Sequence, residues 1–170
     1  MSKNNDLFSV GDYIIDFENI YQIFEQKKQK NYSGHESEYF FYRSVKNDTQ
    51  DKQIVCSTPI ENIAKSGLRH LIDKKEVINF YQKLEENYNE GDFTDPKLIK
   101  EMLYLNDPLK SLNVLKQLFL EKNKNPETFS RSNKELTDGI LKHIVEEISF
   151  VTKKPIATIK TKITSVLSKI

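Results

Sequence analysis

The period of the apolar residues changes once in this chain, and that change limits what it can fold into. Up to Thr58 the apolar residues come in short runs; from Ile72 onward they recur every three or four positions. Short β-branched and aromatic runs fit strands, whereas a spacing of three and four puts side chains on one helical face. The two patterns do not intermix, so a small β module followed by a helical domain is predicted. The hinge between them is the stretch Pro59 to Arg69, PIENIAKSGLR.

Before the hinge, Phe8 to Phe17 holds Gly11-Asp12, a turn signal, ahead of Ile14-Ile15. Ile20 to Phe24 is a second strand, with Asn19 as turn residue. Gln26 to Ser37 is polar and carries a hairpin tip at Ser33-Gly34. Tyr39 to Val45, YFFYRSV, is the strongest strand signal, with four aromatics ahead of a β-branched residue. Asn47-Asp48 reads as a turn, and Gln53 to Thr58 as a fourth strand. Four or five short strands in about sixty residues suit a small, bent antiparallel barrel of Tudor-like or SH3-like size.

After the hinge, Ile72, Val77, Phe80, Tyr81, Leu84 and Tyr88 fit one helical face. Asn89 to Asp92 breaks it. Asp95-Pro96 and Asp107-Pro108 each set an N-cap acid before a proline suited to the first helical position. They predict a short helix to about Leu105 and a longer one to about Lys122. Ser132 with Glu135 has capping-box spacing ahead of Leu136, Ile140, Ile144 and Ile148. Lys154-Pro155 ends that helix and precedes a last one along Ile156, Ile159, Ile163, Val166 and Ile170. The class is α+β: an antiparallel β barrel over residues 1–68, then a five-helix bundle over residues 69–170.

Composition narrows the chemistry. Net charge is +1, so no global field draws in nucleic acid. Residues 1–70 carry 9 Lys/Arg against 10 Asp/Glu, while residues 153–170 hold five lysines and no acid. A polyanion would therefore meet the C-terminal domain first, at Lys160 and Lys162, although such lysines also make an ordinary solvated helix face. Cys56 is the single cysteine and reads as a small buried hydrophobe in its strand. His35, His70 and His143 lack metal-ligand spacing. No GxGxxG or P-loop pattern occurs, and no paired-carboxylate site stands out. The reading is of a protein that is not an enzyme and takes no cofactor. No apolar run reaches signal-peptide or membrane-span length, so a cytoplasmic protein is expected; a monomer is expected as well.

Several residues together carry a family resemblance. Val10-Gly11-Asp12 before an apolar pair, Glu38-Tyr39, the set Pro59, Glu61, Asn62, Gly67 and Arg69, and Phe129-Ser130 followed by Glu135-Leu136 occur in order. This arrangement resembles the CarD/CdnL family of bacterial transcription regulators over nearly the whole chain. The resemblance implies that a Tudor-like N-terminal domain binds the β subunit of RNA polymerase. It also implies that the helical domain touches promoter DNA at the upstream edge of the bubble and stabilises the open complex. Lys27, Lys28, Arg43 and Ser57 are the candidate polymerase contacts, Ser57 standing where the family has a basic residue. The family's DNA-wedging Trp has no counterpart, since the chain contains no Trp. The matching stretch places Phe93 there, with Lys97 after it, and Phe93 reads equally as a smaller wedge or as part of the bundle. Flanking Asp92 and Asp95 imply weak, salt-dependent DNA contact. Glu61 and Asn62 are expected to cap the turn after Pro59, and Gly67 to take a positive φ. Arg69 reads equally as an interdomain clamp or a surface contact. The alternative function is a protein-interaction module outside transcription that binds no DNA.

Overall fold

The computed structural model describes residues 8–16, 19–30, 33–46, 55–86, 99, 103–104 and 106–170. The chain divides into two units, Met1–Leu71 and Ile72–Ile170. The division falls after 71 rather than after 68 because Arg69–His70 belongs to the sheet.

The first unit contains β1 (Tyr13–Ile15), β2 (Ile20–Lys30), β3 (Glu36–Ser44), β4 (Val55–Pro59) and β5 (Arg69–His70). All neighbours are antiparallel, in the order β4-β3-β2-β1-β5. The two ends of that order do not pair with each other, so the closed barrel expected from the strand count is corrected to an open, curled sheet. β5 is only two residues long, too short to complete a ring. Side chains close the structure instead. The 3₁₀ segment Ile60–Lys65 delivers Ile60 and Ile63, and Phe8 and Leu68 join them over Ile14, Tyr21, Ile23, Phe40 and Tyr42. The hinge stretch thus forms part of the β module's core.

β2 runs six residues past its expected end. Residues 26–30 pair with residues 36–40, although they bury nothing and show no apolar alternation. A register shift between Ile23 and Glu25 marks a bulge there. Turns follow the glycines: Gly11 has φ 101° and Gly34 has φ 78°. Gly67 has φ 72°, as expected, and leads from the 3₁₀ segment into β5.

The second unit contains α1 (Lys74–Glu85), α2 (Pro108–Lys124), α3 (Arg131–Thr152) and α4 (Ile156–Leu167). Asp73 and Glu76 form a reciprocal capping box on α1, both bonds being 2.7 Å. Asp107 caps α2 with Pro108 at its first position, as its sequence predicts. α3 starts earlier than expected: its N-cap is Ser130, which accepts from the Asn133 amide at 3.1 Å, so Ser132 lies inside the helix. The five-helix bundle is corrected to four helices among the described residues. Of the short helix expected up to Leu105, only Ile99, Leu103 and Tyr104 are described, each in helical conformation. Burial of an apolar stripe is what mainly holds a helix in a folded chain. Each of α1 to α4 buries such a stripe in one shared core; of the short segment, Ile99 and Leu103 pack against that core, and Tyr104 is exposed.

Two charged residues sit inside this core region. Glu147 is 1% exposed, and its Oε1 accepts from the Ile72 amide at 3.0 Å. Lys116 is 3% exposed, and its Nζ donates to the carbonyls of Lys83 at 2.6 Å and Glu86 at 2.8 Å. It thereby satisfies the C-terminal end of α1, which has no glycine cap. Burial pulls the Lys116 pKa below its ordinary 10.5. A lysine that binds its proton less tightly when folded costs stability while charged, and that cost fades as pH rises toward the ordinary value. Lys116→Met should nevertheless lose about 1.5–3 kcal/mol at neutral pH, because the carbonyls of Lys83 and Glu86 lose their donor. The gap between the wild type and this variant should widen as pH rises toward 10.5. Urea unfolding of both proteins across that range checks this, and a gap that narrows would refute it.

Candidate functional site

The outer face of the sheet and its β4 edge form the candidate site. Paired residues in an antiparallel sheet share a face, and successive residues alternate faces. One row crosses four strands as Tyr13, Gln22, Arg43 and Val55. The next holds Glu25, Phe41 and Ser57, and the third holds Lys27, Tyr39 and Pro59. The alternate rows, Ile23-Tyr42-Cys56 and Gln26-Phe40-Thr58, face inward. β3 therefore sends Tyr39, Phe41 and Arg43 outward while burying Phe40 and Tyr42.

Three of the four expected polymerase contacts, Lys27, Arg43 and Ser57, lie on this outer face. Lys28 does not, because it pairs with Glu38 on the opposite face. Lys27 Nζ lies 4.4 Å from the Phe41 ring centre and 3.0 Å from Glu25 Oε2. The Arg43 guanidinium stands 5.4 Å from the Phe24 ring centre. Val55 and Tyr13 are more than two-fifths exposed. The surface is thus aromatic and aliphatic, with cations resting on its rings.

The sheet has two open edges of useful length among the described residues, and they differ. β1 pairs with β2 as far as Gln22, and Gly11 and Asp12 bond the backbone of Ile23, so β2 beyond Ile23 has a free side, which carries Glu25, Lys27, Lys28 and Lys30. Charges, lysine above all, discourage strand addition. β4, with the sequence VCSTP, carries no charge and pairs on one side only.

Burial pushes the Cys56 thiol up, so it stays protonated at neutral pH. Burial likewise raises the Tyr21 and Tyr42 phenols, and the Tyr42 hydroxyl lies 3.0 Å from Thr58 Oγ1.

Around the hinge, Pro59 ends β4 and opens the 3₁₀ segment, in which Glu61 and Asn62 are exposed. Neither caps it; no side-chain hydrogen bond closes that end, and the ring of Pro59 sets the entry with φ −57°. Arg69 pairs with Ile15 in β5, and its Nη1 donates to the His70 carbonyl at 2.9 Å.

In the helical unit, Phe93 and Lys97 lie outside the described residues. Lys160 and Lys162 stand two positions apart on α4, so they project roughly 200° from one another. Lys162 Nζ lies 3.8 Å from the Tyr81 ring centre. Lys160 borders a groove of about 340 Å³ that also presents Asp138 and Glu146. The two lysines therefore form no common patch. Among the described residues, no group of three or more His, Cys, Asp or Glu could hold a metal ion, and no helix is long and apolar enough to cross a membrane.

Sequence reasoning passed over Phe24, Tyr39 and Phe41 as surface residues. The signal was present for two of them, since residues 39, 41 and 43 alternate with buried 40 and 42; the bulge beside half-buried Phe24 leaves no such trace. Neither the models of known protein families nor the curated proteins include a match to this chain.

Proposed function

We propose that this chain is a CarD/CdnL-like transcription regulator that docks on the β subunit of RNA polymerase by adding a partner strand to the β4 edge. The observation that carries the reading is the contrast between edges: β4 is uncharged and open, whereas the free side of β2 is guarded by three lysines. Strand addition takes its affinity from main-chain bonds and its specificity from flanking side chains. Val55, Ser57 and the neighbouring Arg43 supply those side chains. The ordered resemblance at Val10 to Asp12, Glu38-Tyr39 and Pro59 to Arg69 supports the choice of polymerase as partner. The helical unit would add a DNA contact beside the bubble once docking raises its effective concentration.

The second reading is a protein-interaction module with no DNA contact. It is favoured by the separation of Lys160 from Lys162 and by the acids beside Lys160. Both readings use the same edge; only the first requires polymerase.

Capture of purified bacterial RNA polymerase by the immobilised full-length chain is the test. Val55→Asp, which charges the open edge, should weaken capture about 10-fold or more, and Arg43→Glu should act in the same direction. Lys30→Glu, at the far end of β2, should leave it unchanged. Capture that Val55→Asp does not diminish would overturn the edge assignment, and absence of capture by the wild type would favour the second reading.

A further inference from the structure

We propose that the outer face of the sheet, apart from its β4 edge, binds single-stranded nucleic acid, with β2 serving the phosphates and β3 the bases. Nothing in this depends on docking to polymerase. Tyr39 and Phe41 are half-buried neighbours on β3, their ring centres 6.4 Å apart. Phe24 extends the aromatic surface at the bulge. A cation rests on each phenylalanine, Lys27 on Phe41 and Arg43 on Phe24. Stacking rings beside cations that can reach a backbone are the two elements that hold single strands without sequence preference.

The sheet geometry separates the two roles. Lys27 pairs directly across from Tyr39, so a phosphate at Lys27 places its base over β3. The side chain of Lys27 is about half exposed, and its ammonium needs only to swing from the ring to a phosphate. Glu25, 3.0 Å from Lys27, works against an anion, which makes it a diagnostic residue.

The alternative occupant is an acidic peptide. At the centre of this face the backbone groups of β3 are already spent in ladders to β2 on one side and β4 on the other, and the free side of β2 is guarded by lysines. A peptide there would find few main-chain partners, whereas a base needs only a ring face. The face therefore fits the nucleic acid better.

Fluorescence anisotropy of a labelled oligothymidylate with the full-length chain tests this. Phe41→Ala should weaken binding about 5- to 100-fold, the range found for loss of one stacked base. Phe41→Leu keeps an apolar side chain in the sheet without the ring, and it should also weaken binding; circular dichroism confirms that each variant is folded. Lys27→Glu should weaken binding and make the salt dependence shallower by about 0.7 for each phosphate no longer neutralised. Glu25→Gln should tighten it. Lys160→Glu combined with Lys162→Glu should change nothing. Wild-type affinity in both Phe41 variants overturns the proposal. So does competition by polyglutamate as strong as that by unlabelled oligothymidylate, or loss of binding only in the Lys160 and Lys162 variant. No polymerase is present, so the outcome leaves the β4 reading untouched in either direction.

Discussion

Phe80→Ala is expected to cost the helical unit about 3–5 kcal/mol, the largest effect of any single truncation argued for this chain. Phe80 is 1% exposed, lies in the shared core of all four helices and meets Tyr81 edge to face at 5.9 Å. Removing the ring forfeits its transfer free energy and leaves a cavity that surrounding leucines and isoleucines fill only in part. α1 buries only Val77, Phe80 and Leu84 fully, with Tyr81 packed partly beside them, so Phe80 supplies the largest of its buried side chains. Ile78, two residues away and 60% exposed, is the control: Ile78→Ala should stay within about 0.5 kcal/mol of wild type. Urea unfolding followed at the helical ellipticity band reads both, because every α-helix described belongs to this unit. A Phe80→Ala cost below that of Ile78→Ala would mean that α1 does not pack as described.

Glu147→Ala is expected to destabilise the same unit by about 2–4 kcal/mol, with Glu147→Gln costing clearly less. The carboxylate is 1% exposed and accepts from the Ile72 amide, 75 residues away in sequence. That amide precedes α1 and has no helical carbonyl to bond. Alanine leaves a buried donor unpaired and a void in α3, whereas glutamine keeps an acceptor oxygen at similar reach. Hydrogen exchange adds a local readout, since the Ile72 amide should lose protection in the alanine variant and largely keep it in the glutamine variant. Equal costs for the two substitutions would assign the effect to charge rather than to the Ile72 bond.

Several elements were legible from local chemistry. The glycines at 11, 34 and 67 marked positive φ or turns because only glycine takes such backbone without strain. Asp107-Pro108 marked a helix start because a side-chain acceptor and a preset φ act within one turn. The stripe Ile140, Ile144, Ile148 was legible because α3 buries one face. Other features left no local trace. Residues 26–30 are polar on both faces, and their strand exists through pairing with residues 36–40. Arg69–His70 reads as hinge until β1 offers it an edge. In the candidate site, the Lys27 and Arg43 positions were readable, but the split of Lys27 from Lys28 depended on register. Lys116 looked like any helical lysine; the carbonyls that hold it come from another helix.

The amino-acid sequence by itself determined where strands give way to helices, where most helices begin and which residues stripe the core, because these follow from spacing and from interactions within a turn. Only the tertiary structure decided that the sheet stays open rather than closing, which of its edges is uncharged and available, and which side chains share the outer face. Those outcomes depend on strand order, on a two-residue β5 and on a bulge at Phe24, where partners distant in sequence set the result.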